Sequence, residues 1–173
     1  MFSTGGPVAA ACGLPGVPGP VADGVLPMMV AAFPQDILLV EDDSADAMLV
    51  EAALLQRGPV RSVTRVCDGI AALDYLRDLG HARPDLIVLD LSMPRMNGRE
   101  LLAVLKNDED LKVVPVVVLT TSSAPQDVEH AYRGHANAYV TKPVNLDDFT
   151  EAVQRIDAFF LDIAAPVPPR GEG

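Results

Sequence analysis

The sequence predicts an α/β fold: a doubly wound, five-stranded parallel sheet with helices on both faces. Three observations predict it. Short apolar runs alternate five times with segments of helical periodicity, and the connections are short; such alternation forces parallel strands with crossover helices on both faces. Leu86-Ile87-Val88-Leu89 has no residue for a solvated face, so it reads as a central strand buried on both sides. That run stops at one carboxylate, Asp90, before a loop containing Pro94 and Gly98. The position is the carboxyl edge of the sheet, where open α/β folds keep their ligand sites and where an acid is expected to escape the cost of burial.

Residues 1–34 are rich in Gly, Pro and Ala, with Pro15, Pro18, Pro20, Pro27 and Pro34 interrupting any period. A composition of that kind buries too little surface to offset ordering entropy, so disorder is expected there. Met28 and Met29 stand just ahead of the folded part, and either can serve as the start. The folded domain is read as 35–163, with a disordered tail over 164–173 that holds Pro166, Pro168 and Pro169.

Strand one is Asp36-Ile37-Leu38-Leu39-Val40, followed by Glu41-Asp42-Asp43. Ser44 is the expected N-cap of a helix from Ala45 to Arg57, with Met48, Ala52 and Leu55 at helical spacing and Gly58-Pro59 as its stop. Val60 to Val66 suits an edge strand. Asp68-Gly69 turns into a second helix marked by Ile70, Leu73, Leu76 and Leu79, ending at Gly80. After the Asp90 strand, Arg99 to Lys106 is a third helix with Leu101, Leu102 and Leu105 inward. Val113 to Leu119 is a buried strand, with Pro115 near its start where a lost donor matters least. Pro125 opens a helix to Arg133. Ala138-Tyr139-Val140 is the last strand, and Leu146, Phe149, Val153, Ile156 and Phe160 mark the last helix. The length and pattern fit the flavodoxin-like strand order 2-1-3-4-5.

Composition narrows the function. With 173 residues, 49% of them hydrophobic and 21% charged, the chain can bury a core. A formal net charge of −11 argues against binding nucleic acid or an anionic membrane directly. Cys12 and Cys67 make neither a disulfide framework nor a zinc site. No apolar run approaches the ~20 residues of a membrane span. The first basic residue is Arg57, so no signal peptide is read, and a cytoplasmic location is expected.

The chemistry converges on one edge. In the 2-1-3-4-5 order, strands one and three are neighbours, which brings Glu41 and Asp42 beside Asp90. Packed carboxylates repel and raise each other's pKa, and a hard divalent cation relieves that. Magnesium accepts two carboxylates and a backbone carbonyl while keeping waters. The plain reading of the acidic run is helix capping, which Asp43 or Ser44 meets alone. Thr120 and Lys142 end strands four and five; singly, one reads as a strand-end hydrogen bond and the other as a solvated charge. Together with the acids they are the set a phosphorylated carboxylate needs. Asp90 would be the nucleophile, magnesium would shield the phosphoryl oxygens, and Lys142 and Thr120 would each meet one of them.

Four segments then carry a resemblance: Leu38-Leu39-Val40-Glu41-Asp42-Asp43, the run from Asp85 through Asp90 to Gly98, Pro115 to Ser122, and Tyr139-Val140-Thr141-Lys142-Pro143. In this order and at these separations, the sequence resembles the receiver domain of two-component response regulators over residues 35–163. The resemblance implies that Asp90 accepts phosphate from a sensor histidine kinase. It implies that Glu41 and Asp42 are the acidic pair, that Asp42 and Asp90 ligate Mg2+, and that Ser92 supplies a backbone carbonyl. Thr120 matches the family's switch hydroxyl, Tyr139 its switch aromatic and Lys142 its lysine, and the Lys142–Pro143 bond would be cis. Phosphate at Asp90 would draw Thr120 inward and let Tyr139 turn in, changing the face of helix four, strand five and helix five.

Too little chain follows Ile163 for a helix-turn-helix module, so a stand-alone receiver is expected, acting through protein contacts or passing phosphate onward. Ser123 to Val128, Asn145 to Phe149 and Gly69 to Leu76 look like small regulators that partner phytochrome-type sensor kinases. Phe159 and Leu161, flanking Phe160, suggest surplus apolar surface and a homodimer through the helix-four to helix-five face. Three other readings compete. A haloacid-dehalogenase-like phosphohydrolase would want an Asp where Ser92 stands, so a signalling rather than enzymatic role is read. A nucleotide- or flavin-binding module would need a Gly-rich loop after strand one. A receiver that has lost phosphotransfer and only binds partners is opposed by the full set of acids, Thr and Lys, and a phosphate sink without its own output stays as the alternative.

Overall fold

The computed structural model describes residues 35–56 and 61–164. The readings of 1–34, of Gly58-Pro59, of Val60 and of the tail beyond Ala164 lie outside them. The elements are β1 Gln35–Val40, α1 Ser44–Leu55, β2 Arg61–Val66, α2 Gly69–Arg77, β3 Leu86–Leu89, α3 Gly98–Asn107, β4 Val116–Thr120, α4 Pro125–Arg133, β5 Ala138–Thr141 and α5 Leu146–Asp157, which runs into a π-helical turn over Ala158–Ile163. The strands form one parallel sheet in the order β2-β1-β3-β4-β5. Among the described residues no helix is long and apolar enough to cross a membrane.

Alternation along the strands sorts two cores. Leu38, Val40, Ile87, Leu89, Val116 and Val118 face α2, α3 and α4. Ile37, Leu39, Leu86, Val88, Val117 and Leu119 face α1 and α5. β3 is thus apolar throughout because both of its faces are covered. The register sets the site. Val40 pairs with Leu89, so Glu41 and Asp90 leave neighbouring strands at one level. Thr120 pairs with Thr141, which places Lys142 one residue beyond.

Several local expectations are corrected. Asp43, not Ser44, caps α1, accepting from the N–H groups of Ala45 and Asp46. Met48 and Leu55 are exposed, and the buried residues are Ala47, Val50, Ala53 and Leu54. Apolar residues surround this helix, so more than one stripe fits the period. α2 ends at Arg77, leaving Leu79 in solvent, and Ile70 is also exposed. β4 starts at Val116, because residues 108–114 close a turn in which Lys112 N–H donates to Asp108 and Val114 N–H to Leu111. Leu146 is exposed. The π-helical turn shifts the phase of the last helix, so Leu161 is buried in place of Phe160 and Phe159 points out. No peptide bond among the described residues is cis, so Lys142–Pro143 is trans. The isomers of an X–Pro bond differ by only about 1 kcal/mol, too little for sequence to decide.

Candidate functional site

β1, β3, β4 and β5 deliver their carboxyl ends to one place. Arg65 anchors the turn after β1, its guanidinium donating to the carbonyls of Glu41 (3.1 Å) and Asp42 (3.0 Å). Glu41 then spends one carboxylate oxygen on the Asp43 N–H (3.1 Å) and the other on Lys142 Nζ (2.6 Å). Asp90 is held by its own loop: Oδ2 accepts from the Ser92 N–H at 3.0 Å. One carboxylate oxygen from each of Glu41, Asp42 and Asp90 lies within 4.8 Å of the others. Hard oxygen donors at that spacing suit a divalent cation of the magnesium or manganese type.

Burial differs from the sequence expectation. Glu41 is 2% exposed and Asp90 6%, and Lys142 is buried rather than solvated, while Asp42 is exposed. An ammonium sits among the acids because buried charges need partners. Lys142 Nζ also donates to Asp46 Oδ2 (2.8 Å) and stands 3.8 Å from Asp90 Oδ1. Burial pushes the Glu41 carboxyl above the usual range, and the bond to Lys142 offsets this only in part, because one cation serves three acids. Burial alone would depress Lys142, but the hydrogen bonds to Asp46 and Glu41 and the charges of Asp90 and Glu41 outweigh it and hold the ammonium above its ordinary value.

Thr120 is fully buried, and its hydroxyl has no hydrogen-bond partner among the described residues. Buried hydroxyls are normally paired, so an orphan at a strand end is a donor waiting for an acceptor. Tyr139 is half-buried, its hydroxyl donating to the Ser122 carbonyl at 2.8 Å. Ser122 Oγ and Arg99 both hold Asp127 at 2.5 Å, tying the loop after β4 to α3 and α4.

Glu41, Asp42, Asp90, Ser92, Thr120 and Lys142 therefore border one edge of the sheet, whereas Tyr139 lies within β5, level with Val118, and reaches the loop after β4 through its hydroxyl. Sequence reasoning missed Asp46, Arg65 and the Arg99–Asp127–Ser122 set. Asp46 had a signal, since it lies one helical turn after Asp42 on the helix that leaves the site. Arg99 and Asp127 had none, being 28 residues apart on different helices.

A sheet edge of this kind, with acids, a hydroxyl and a lysine at successive strand ends, is the build of a signalling module of the α/β class. Residues 37–154 match the family described as response regulator receiver domain, and the chain belongs to that family. It is 44% identical over 133 residues to the response regulator Rcp1 of Synechocystis sp., covering 75% of this chain and 90% of that protein. Among solved structures, the Mn2+-bound form of Rcp1 superposes with a TM-score of 0.75 at 42% identity, covering 78% of this chain and all of the other. The phosphorylated cyanobacterial phytochrome response regulator RcpA gives 0.74 at 42% identity, covering 78% of this chain and 99% of the other. The chain is a two-component response regulator receiver, a signalling domain.

Proposed function

We propose that this receiver takes a phosphoryl group onto Asp90 from a sensor histidine kinase and signals through the face of α4, β5 and α5. The observation that carries the reading is the orphan hydroxyl of buried Thr120 at the same sheet edge as buried Asp90. An Asp90 carboxylate oxygen attacks phosphorus; the bond from phosphorus to the donor breaks, its electron pair leaves with the donor, and an acyl phosphate forms. Lys142, 3.8 Å from Asp90 in the free site, pairs with one phosphoryl oxygen, and Thr120 donates to another. Thr120 moves to do so, which opens room for Tyr139 to leave the Ser122 carbonyl and turn in. Glu41, Asp42, Asp90 and the Ser92 carbonyl would hold Mg2+, which supplies neutralisation of the charge on the transferring oxygens.

Similarity to the cyanobacterial phytochrome response regulator RcpA supports a phytochrome-type kinase as partner. Exposed Phe159 at the end of the last helix supports a homodimer through the α4–β5–α5 face. Sedimentation of the phosphorylated protein should show a dimer, and a monomer at every concentration tested would remove that part of the reading.

Intact-mass spectrometry after incubation with acetyl phosphate tests the central claim. Wild type should gain one phosphoryl group only when Mg2+ is present, and Asp90→Asn should gain none. A gain retained by Asp90→Asn would place the acceptor elsewhere.

A further inference from the structure

Lys142 has three N–H donors, and the free site spends two of them away from Asp90. Nζ lies 2.6 Å from Glu41 Oε2 and 2.8 Å from Asp46 Oδ2, whereas Asp90 Oδ1, at 3.8 Å, is beyond hydrogen-bond reach. We propose that Asp46 is a positioning residue that holds the Lys142 ammonium short of Asp90 and so lowers the affinity of this receiver for phosphoryl oxygen. The inference rests on Asp90 being the acceptor and adds a residue that sets how readily the phosphorylated form is reached.

Asp46 is built for that hold. Its backbone is fixed in the first turn of α1, where its N–H donates to Asp43 Oδ1 at 3.0 Å. An acid at this position commonly reaches back to the N–H of the capping residue. Here Glu41 Oε1 already occupies the Asp43 N–H at 3.1 Å, which leaves the Asp46 carboxylate available to Lys142.

The lysine cannot move as a whole. Its side chain is 5% exposed, and its backbone N–H is tied to the Thr120 carbonyl at 2.7 Å. Only Nζ swings, and a swing that closes the 3.8 Å gap toward a phosphoryl oxygen on Asp90 lengthens its contact with one of the two acids it already holds. Glu41, whose side chain is 3% exposed, has no water to replace the ammonium. Asp46, at 33%, does. The contact to Asp46 is therefore the one that gives way, and its loss is a cost charged against phosphorylation but not against the free state.

Titration with beryllofluoride, a stable phosphoryl mimic, in saturating Mg2+ and followed by amide NMR, tests this on the whole chain. A half-solvated, charge-assisted hydrogen bond is modest in net terms, so Asp46→Asn should bind the mimic about threefold to tenfold tighter than wild type. Glu51→Gln, an equal charge change on the same helix away from Lys142, should leave the affinity as it was. In a Lys142→Met background the gain from Asp46→Asn should vanish. A gain that persists undiminished without Lys142 would make Asp46 a plain repulsive charge and overturn the inference, as would no gain or a loss in Asp46→Asn itself.

Should Lys142→Met fail to fold, the ammonium signal of Lys142 in the ligand-free protein decides. It should shift in Asp46→Asn and stay put in Glu51→Gln, and an unmoved signal in Asp46→Asn overturns the hold. Wild type that binds no mimic at all would overturn the phosphoacceptor reading together with this one, whereas equal binding by wild type and Asp46→Asn would overturn this one alone.

Discussion

Gly98→Ala should destabilise the domain by roughly 3 kcal/mol, because overpacking at a site with no room to yield is costly. Gly98 is the first residue of α3, and its N–H donates to the Leu91 carbonyl at 3.2 Å, closing the loop that follows Asp90. A methyl group there would stand 2.2 Å from the Asp90 carbonyl oxygen and 2.8 Å from Leu91 Cα. Both are backbone atoms, so no side chain can rotate away. The loop must open, and the residue displaced first is Asp90, whose carboxylate is fixed by the Ser92 N–H of the same loop. Urea unfolding should show the loss of stability, and acetyl-phosphate uptake at low temperature, where the variant stays folded, should slow by about tenfold or more through misplacement of the nucleophile. An unaltered midpoint with unaltered uptake would mean that the helix start can shift without moving Asp90. The glycine is therefore needed for close approach rather than for an unusual backbone angle, and it couples the fold directly to the site.

How much of this could be read beforehand depends on where each feature is encoded. The sheet order was legible because β3 and β4 are continuous apolar runs and because turn residues punctuate five alternations. Glu41, Asp90, Thr120 and Lys142 were legible for the same reason: each follows or ends a strand, and parallel strands must share one carboxyl edge. The inward face of α1 was not, since Ser44–Leu55 is apolar on nearly every side and only the close approach of Ala47 and Ala53 to the sheet selects a face. The phase shift at the π-helical turn was invisible because it arises from backbone hydrogen bonding, not from side-chain period. Contacts between helices, such as Arg99 of α3 with Asp127 of α4 across 28 residues, have no local signature. The burial of Asp90 was misjudged for a related reason: the strand end predicts the position, but the covering groups come from elsewhere in the chain.

Lys142→Met should cost about 3–5 kcal/mol at neutral pH in metal-free buffer, the usual cost of removing one partner from a buried ion pair. Methionine keeps the length of the stem, so the loss isolates the charge. Glu41 and Asp90 would remain buried, at 2% and 6% exposure, with no cation between them. The pH dependence has a definite sign. The native Glu41 carboxyl already sits above its ordinary value of 4.5 through burial, and the Lys142 hydrogen bond is the largest influence pulling it back. Without that bond it rises further, so between 4.5 and the raised native value the folded variant binds more protons than the unfolded chain. Its stability must therefore grow as pH falls through that window and shrink as pH rises. Divalent cation should act in the same direction: Mg2+ binding only the folded acids adds stability as its concentration climbs past its Kd, and adds more to the variant than to wild type. Thermal unfolding at two pH values, with and without Mg2+, checks all three statements. A variant as stable as wild type at neutral pH without metal would show that water, not Lys142, neutralises these carboxylates. The lysine would then serve the phosphoryl group alone and not the fold.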